Sequence, residues 1–235
     1  MLDALLKKSI GALEISVELT VRKGVLALVG DNGCGKTTTL DMLAGLTSPD
    51  SGSLVLDQKV LFDSEKGVNV PPEERDVGYI FQNYALFPHM SVHENVAFGL
   101  RMRKVRDTVA NERVSEVLEL LHITHLKSKR PPQLSGGEGQ KVALARVLVL
   151  TPRLLLCDEP FSALDHTAKD IARCELRRVL GELEIPAVLV SHDPEEVSSL
   201  ADSVCVMRGG TVAQHYSNTV LQSAHEELLE KGEST

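Results

Sequence analysis

Three glycines, a lysine and a threonine follow the spacing G-x-x-x-x-G-K-[ST] between positions 30 and 37. Glycines let the backbone bend so that successive N–H groups point at one anion, and the start of a helix adds positive potential there. The ammonium of Lys36 can then reach phosphate oxygens, and the hydroxyl of Thr37 can bind Mg²⁺. We therefore predict a phosphate-binding loop formed by Gly30, Asp31, Asn32, Gly33, Cys34, Gly35, Lys36, Thr37 and Thr38.

Two neighbouring acids, Asp158 and Glu159, follow the apolar run at positions 154–157. An unpaired carboxylate is costly to bury at the end of a strand, so two acids at this point indicate a function. Asp158 is suited to hold Mg²⁺ beside the phosphates, and Glu159 is placed to polarise an attacking water. Together with the phosphate loop, these acids predict hydrolysis of a nucleotide.

A second helix start with the features of an anion site lies at Ser135-Gly136-Gly137. Ser135 and Glu138 have the spacing of a capping box, and the helix that they begin carries apolar residues on one face. The N–H groups of a capped, glycine-rich helix start can hold phosphate. Two such starts in one chain indicate a nucleotide that is held between two surfaces.

The elements that must position these residues read as an α/β fold. Residues 13–21 alternate strictly between apolar and polar, which predicts a strand with one buried face. Residues 25–29, 154–157 and 187–190 are continuously apolar, as in central strands covered on both sides. Residues 36–44 predict a helix that ends at Gly45, and residues 106–122 are charged and helix-periodic.

Composition excludes several classes of protein. The chain of 235 residues has 43% hydrophobic and 25% charged residues, and no run of about 18 apolar residues could span a membrane. Its net charge of −8 argues against nucleic acid as a partner. The four cysteines form no C-x-x-C pair, and no signal peptide is evident at the N-terminus, so we expect a cytoplasmic protein.

With six motifs in order, the chain resembles the ATP-binding subunits of ABC transporters. The matching motifs are Gly30–Thr37 as Walker A, Gln82 as the Q-loop, Leu134–Glu138 as the signature, Leu156–Pro160 as Walker B, Ser162–Asp165 as the D-loop and His192 as the switch histidine. The resemblance implies a P-loop NTPase core with an antiparallel β edge and an inserted helical subdomain. We place the core at residues 1–82 and 153–235 and the helical subdomain at residues 83–152, with no C-terminal regulatory domain.

The resemblance also implies roles for individual residues. Two chains would pair head to tail, as a homodimer or with a related ATPase, and Ser135, Gly136 and Gly137 of each would face the ATP of the other. Asp165 of the D-loop would also belong to the nucleotide-binding residues. Gln82 would contact Mg²⁺ or the attacking water, so that Thr37, Gln82 and Asp158 form the predicted metal site. Glu159 would be the general base, and His192 would contact the γ-phosphate.

Within this family, Pro71–Gln82 and Tyr84–Val92 look like the ATPases of importers for molybdate, tungstate, sulfate, polyamines and sugars. The stretch Ile10–Ile15, interpreted as a terse N-terminal strand, is most like the molybdate/tungstate branch. The chain would then lie on the inner face of the cell membrane, bind a permease through Tyr84–Val92 and act indirectly with a solute-binding protein. The alternative is a soluble ABC ATPase for assembly work, such as loading of iron–sulfur scaffolds.

Two positions depart from the family's usual pattern. Gly139 stands inside the signature helix where importers carry a long polar residue, and we expect it to remove a polar side chain near the neighbouring nucleotide. No aromatic residue precedes Phe62, so Leu13 takes the place of the ring that usually stacks on adenine. We therefore expect an aliphatic contact between Leu13 and the base.

Overall fold

The computed structural model describes residues 1–217, whose strands form one mixed sheet. The strands are β1 (Leu2–Ile10), β2 (Leu13–Val21), β3 (Val25–Gly30), β4 (Ser51–Leu56), β5 (Lys59–Asp63), β6 (Val68–Asn69), β7 (Val77–Ile80), β8 (Leu154–Asp158), β9 (Ala187–Val190), β10 (Ser203–Arg208) and β11 (Thr211–Ser217). The helices are α1 (Lys36–Ala44), α2 (Val92–Met102), α3 (Asp107–Leu120), α4 (Gly136–Leu148), α5 (His166–Leu183) and α6 (Pro194–Leu200).

The sheet has a parallel half and a largely antiparallel half, in the order β6-β5-β4-β1-β2-β11-β10-β3-β9-β8-β7. Strands β7, β8, β9, β3 and β10 are parallel to one another, whereas β6, β5, β4, β1 and β2 alternate in direction. Strand β11 joins the two halves and is antiparallel to β10 and parallel to β2. The apolar runs predicted as central strands are β3, β8 and β9, and they lie next to one another. The predicted α/β fold with an antiparallel edge is therefore confirmed.

Strand β8 is buried on both faces because the sheet separates two hydrophobic cores. Leu155 and Cys157 face a core formed with α2, α3, α4 and α5. Leu154 and Leu156 face the other core, which is formed with α1 and the antiparallel strands. This arrangement explains the continuous apolar run, since a strand covered on both sides has no wet face.

The interpretation of Ile10–Ile15 as one strand is wrong. β1 ends at Ile10, Gly11 adopts a left-handed conformation with φ of 58°, and β2 begins at Leu13 opposite Ile10. The two residues between the strands form a tight hairpin, in which glycine removes the steric penalty of positive φ. The stretch that suggested the molybdate/tungstate branch is thus the end of one strand, a two-residue turn and the start of the next strand.

Helices α2, α3 and α4 all fall within residues 83–152, where the structure has no strand. They share one core with β8, β9 and α5, so the segment packs against the sheet. Its division from the rest of the chain as a separate subdomain stays a prediction. Among the described residues, no helix is long and apolar enough to cross a membrane.

The carboxyl end of α1 is held by a buried arginine, Arg75, which is 1% exposed. Its guanidinium donates hydrogen bonds to the carbonyl oxygens of Met42 at 2.9 Å and Leu43 at 3.1 Å. It also donates to the Val70 carbonyl at 2.7 Å and to the Asn69 side chain at 2.9 Å. A cation at this end of a helix satisfies carbonyls that have no partner within the helix and opposes their partial negative charge.

Arg75→Met is expected to destabilise the protein by about 2–4 kcal/mol, because it removes four hydrogen bonds, two of which go to the buried carbonyls of Met42 and Leu43, and a buried acceptor left without a donor costs roughly 1–3 kcal/mol. Urea unfolding followed by circular dichroism measures this change. Arg153→Met is the matched control, since Arg153 forms a surface ion pair with Asp57 at 3.5 Å that contributes about 0–1 kcal/mol. Equal losses in the two variants would contradict the capping role.

Candidate active site

The phosphate loop connects β3 to α1 through two glycines that tolerate no side chain. Gly30 has φ of 146°, and a Cβ there would lie 2.2 Å from the carbonyl oxygen of Met207. Gly35 has φ of 104°, and a Cβ there would lie 2.9 Å from the Ile15 side chain. The ammonium of Lys36 donates hydrogen bonds inside the loop, to the Gly30 carbonyl at 2.7 Å and the Asp31 carbonyl at 2.8 Å. The loop thus places a buried cation among backbone groups, as phosphate binding requires.

The hydroxyl of Thr37 donates a hydrogen bond to the Asp158 carboxylate at 3.3 Å, which joins the phosphate loop to the end of β8. Burial raises the pKa of Asp158, and the nearby charges of Glu159 and Asp41 raise it further. A cation would relieve this repulsion, and hydroxyl and carboxylate oxygens are the ligands that Mg²⁺ prefers. Thr37 and Asp158 therefore fit a magnesium ion.

Sequence reasoning missed two residues that complete this corner. The Tyr79 hydroxyl donates to the Asp41 carboxylate at 3.2 Å and reaches the Asp158 carboxylate at 3.5 Å. Asp41 lies one helical turn after Thr37, so the helical spacing of α1 could have identified it. Tyr79 comes from β7, and only the pairing of β7 with β8 brings it to this point.

Glu159 lies between the other two residues that were predicted to act in catalysis. The Gln82 amide donates a hydrogen bond to one carboxylate oxygen at 3.2 Å, and Nδ1 of His192 lies 3.2 Å from the other. Glu159 has φ of 46°, and its backbone N–H donates to the Val190 carbonyl at 3.0 Å. This left-handed conformation is unfavourable for a residue with a Cβ, and it turns the side chain out of the strand direction.

Gln82 forms a hydrogen bond with Glu159 and not with the predicted magnesium ligands Thr37 and Asp158. Among the hydrogen bonds of residues 1–217, none links Gln82 to Thr37 or Asp158. The loops that carry Glu159 and His192 follow β8 and β9, which are neighbours in the sheet. Carboxyl ends of parallel strands are where α/β folds commonly bind ligands. A Mg²⁺ contact of Gln82 stays a prediction.

The predicted capping box at the start of α4 is confirmed. The Ser135 hydroxyl accepts a hydrogen bond from the Glu138 N–H at 3.3 Å, and the Glu138 carboxylate accepts one from the Ser135 N–H at 2.7 Å. Ser135, Gly136, Gly137 and Asp165 line a cleft of about 620 Å³. None of the residues that line this cleft belongs to the phosphate loop. The two glycine-rich helix starts therefore do not line a common cleft.

Within its own chain, Gly139 faces the segment that follows Gln82. A Cβ at this position would meet the Tyr84 ring at 3.7 Å and the Leu86 side chain at 4.0 Å, so the position points toward the segment after Gln82. The residue is buried, whereas Ser135 is exposed at the start of the same helix. The expected effect of Gly139 near the nucleotide of a neighbouring chain stays a prediction.

Comparison with known proteins identifies the family. The model of the ABC transporter family matches residues 15–162, which is more than half of the chain. The chain belongs to the ABC transporter family. The match includes the phosphate loop, Gln82, the Ser135–Gly137 segment, and the acids Asp158 and Glu159 at the end of β8.

Relatives in the ABC transporter family carry different solute names. The chain is 43% identical over 199 residues to the trehalose/maltose import ATP-binding protein MalK of Thermococcus litoralis, covering 84% of this chain and 54% of the relative. It is 43% identical over 213 residues (91% and 58%) to the molybdenum import ATP-binding protein ModC of Paramagnetospirillum magneticum. It is 45% identical over 203 residues (85% and 53%) to the spermidine/putrescine import ATP-binding protein PotA of Lawsonia intracellularis. The chain thus spans about half the length of the curated relatives it matches.

Solved structures of ABC proteins share the fold. CbiO1 from Clostridium perfringens, part of the transporter complex cbiONQ, has a TM-score of 0.83 at 31% identity, covering 98% of this chain and 93% of that one. The dimeric structure of MJ0796, a bacterial ABC transporter cassette, has a TM-score of 0.75 at 25% identity, covering 93% and 99%. Family and fold together confirm the predicted resemblance to ATP-binding cassettes of ABC transporters.

The segment after Gln82 packs on the helices of the ABC fold, and Phe87 and Phe98 line a groove of about 270 Å³. Arg146 of α4 donates hydrogen bonds to the carbonyl oxygens of Tyr84 at 3.2 Å and Ala85 at 2.6 Å, and it lies over the Phe87 ring at 5.3 Å. The Phe87 ring contacts Phe98 of α2 with centroids 4.6 Å apart. Tyr84 is buried, and burial raises its pKa to about 12. The segment therefore contributes to core packing, and a docking role for it stays a prediction.

Leu13 begins β2 on the face that also carries the buried side chains of Ile15 and Val17. Ile15 packs beneath Gly35 of the phosphate loop, as the close approach of its side chain shows. Leu13 is half-buried and lies two residues before this contact. Its predicted contact with adenine remains a prediction.

Leu13→Tyr is expected to tighten ATP binding about two- to twelvefold, because stacking on the base adds roughly 0.5–1.5 kcal/mol beyond burial of area. Calorimetric titration measures the Kd. Inorganic tripolyphosphate, which has no base, is the control ligand, and the substitution should increase its affinity less than that of ATP. A tyrosine that overpacks the core would instead lower stability by about 1–3 kcal/mol. Unchanged affinity together with a lower melting temperature would show that adenine binds elsewhere.

Proposed function

We propose that the chain hydrolyses ATP in a head-to-tail dimer and so drives import of a solute through a membrane permease. The observation that carries the dimer is the separation of the two anion-binding helix starts. The cleft at Ser135–Gly137 shares no lining residue with the phosphate loop. A nucleotide held by both kinds of helix start therefore needs two chains, and the dimeric structure of MJ0796 supports this arrangement.

Each residue around the phosphate loop has a defined task in the proposed reaction. The N–H groups of the loop and Lys36 hold the phosphates, and Thr37, Asp158 and Gln82 hold Mg²⁺. The bound cation supplies neutralisation of the charge that develops on the phosphate oxygens. Glu159 accepts a proton from water as the water oxygen bonds to the γ-phosphorus and the bond to the β-phosphate oxygen breaks.

Closure of the dimer would complete the site. Ser135, Gly136 and Gly137 of the second chain bring the N–H groups of its α4 to the γ-phosphate, and Asp165 of that chain begins the helix beside them. His192 is exposed next to Glu159, where it can hydrogen-bond a phosphate oxygen. Phosphoryl transfer depends on such positioning more than on covalent chemistry, which is consistent with this assembly.

Import is supported by the names of the three relatives given above, which are import ATP-binding proteins. We propose that the groove at Phe87 and Phe98, within and beside the segment Tyr84–Val92, receives a cytoplasmic element of the permease, and that the chain works on the inner face of the membrane. A solute-binding protein would act on the far side. For the solute, we propose molybdate, tungstate or another oxyanion, which the 43% identity to ModC supports. Relatives named for sugars and polyamines have similar identity.

Phosphate release at increasing concentrations of the chain tests the proposed dimer. The rate per chain is expected to rise with concentration and then reach a plateau, because only paired chains hold a complete site. Analytical ultracentrifugation with ATP should show dimers over the same range. A constant rate per chain at concentrations where the protein sediments as a monomer would contradict the proposal.

Reconstitution tests the proposed transport. The chain would be placed in proteoliposomes with a permease that copurifies with it and with a binding protein, and uptake of labelled molybdate, maltose and spermidine would be compared. ATP-dependent uptake of molybdate alone supports the oxyanion proposal. Uptake of maltose or spermidine would contradict the oxyanion while supporting import, and ATP hydrolysis with no uptake of any solute would contradict import.

A further inference from the structure

Two cations of α5 form ion pairs with α6, and only one of them reaches the residues around His192. The Lys169 ammonium lies 3.2 Å from the Asp193 carboxylate and 3.6 Å from the Glu196 carboxylate. Arg173, one turn further along α5, pairs with Glu195 at 3.2 Å. Both pairs hold the same two helices together, so they offer a matched comparison.

Glu196 connects Lys169 to the backbone of the switch loop. Its carboxylate is nearly fully buried, with 4% of the side chain exposed, and it accepts a hydrogen bond from the Ser191 hydroxyl at 2.6 Å. The Ser191 hydroxyl in turn accepts a hydrogen bond from the Asp193 N–H at 3.0 Å. Lys169 and Glu196 thereby hold the residues on both sides of His192.

His192 itself has little packing to fix its ring. Its side chain is 64% exposed, and Nδ1 lies 3.2 Å from Glu159. An exposed ring that must stay at hydrogen-bond distance depends on how well its backbone is held. Lys169 is the last residue in the series of contacts that holds this backbone. Its own N–H donates a hydrogen bond to the Asp165 carbonyl at 2.9 Å in the first turn of α5.

We infer that Lys169 is a positioning residue, which acts through Asp193 and Glu196 to hold the ring of His192 against Glu159. A cation is needed at this point because burial raises the pKa of Glu196, and a nearby ammonium favours its ionised form. The inference rests on the proposed hydrolysis for its kinetic effect. Its structural part, the placement of the His192 ring, is independent of hydrolysis.

The kinetic test compares Lys169→Met with Arg173→Met in the full chain. Lys169→Met is expected to lower kcat roughly 10- to 100-fold with an unchanged Kd for ATP, since a small misplacement of a catalytic group can have an effect of this size. Lys169→Arg keeps the cation and should restore most of the rate. The kcat of Arg173→Met should stay within about twofold of that of the unchanged chain, even if its melting temperature falls as far as that of Lys169→Met.

A double-mutant cycle separates positioning from a general loss of structure. If Lys169 acts through His192, Lys169→Met should lower the rate by less than about twofold further in a His192→Ala background. An equal loss from Lys169→Met with and without His192 would overturn the inference. Equal losses of kcat in Lys169→Met and Arg173→Met would overturn it as well.

NMR of the histidine rings tests the placement without nucleotide. In Lys169→Met, the ring signals of His192 are expected to move toward the positions that they take in Glu159→Gln, where the carboxylate is gone, while Arg173→Met should leave them in place. Unmoved His192 signals in Lys169→Met would overturn the inference whatever the rates. If the His192 signals move as expected but the unchanged chain releases no phosphate from ATP, the proposed function is contradicted and the placement of the ring is not.

Discussion

Replacement of Glu159 by glutamine is expected to lower the rate of ATP hydrolysis roughly 10²- to 10⁴-fold while ATP still binds. Glutamine has nearly the same shape and can keep hydrogen bonds to Gln82 and His192, but it cannot accept the proton of the attacking water. Loss of a positioned general base has an effect of this size. Phosphate release measures the rate, and calorimetric titration measures binding.

Because binding would continue without turnover, Glu159→Gln should also accumulate as a closed dimer on ATP. Size-exclusion chromatography with and without ATP detects this species. Glu112→Gln is the matched control, since Glu112 is exposed on α3 and should change neither rate nor assembly. Turnover of Glu159→Gln at the rate of the unchanged chain would remove Glu159 from the role of base.

Ser135→Arg is expected to abolish hydrolysis and to leave binding of ATP to the monomer unchanged. Ser135 is exposed in a cleft that contains no residue of the phosphate loop, so a bulky cation there should block the second chain and spare the chain's own nucleotide site. Phosphate release and titration at concentrations below the dimer range measure the two effects separately. Equal loss of monomer binding and of turnover would place Ser135 beside the nucleotide of its own chain.

The substitution also removes the cap of α4, and Ser135→Ala controls for that loss. Alanine at an N-cap lowers stability by about 1 kcal/mol and adds no bulk. It should therefore retain substantial hydrolysis if the arginine acts by obstruction. Loss of hydrolysis in Ser135→Ala as complete as in Ser135→Arg would show that the cap itself is what matters.

The central strands and the phosphate loop could be predicted from sequence because their signals are local. β3, β8 and β9 are continuously apolar, and the glycine pattern of the loop needs no distant partner. β1 was not predicted because Leu5, which is apolar and yet 48% exposed, interrupts the alternation of apolar and polar residues along the strand. Without β1, the hairpin at Gly11 could only be interpreted as part of a single strand.

Parts of the site that depend on distant pairing could not be predicted. Tyr79 reaches Asp158 only because β7 pairs with β8, and Lys169 reaches Asp193 only because α5 packs against α6. The intrachain contacts of Gly139 could not be predicted either, since the fold of the segment after Gln82 decides what that position faces. Periodicity identifies which residues share a face, whereas tertiary packing decides what that face contacts.

The anchoring of α1 by Arg75 has a consequence for hydrogen exchange. At its beginning, the Thr39 hydroxyl and N–H both donate to the Gly35 carbonyl at 2.9 Å, and at its end the carbonyls of Met42 and Leu43 are held by the arginine. With neither end free to fray, the amides of α1 should exchange with heavy water only when the whole domain unfolds. The loop before α1 would then keep its form without nucleotide, and ATP binding would carry little entropy loss from ordering that loop.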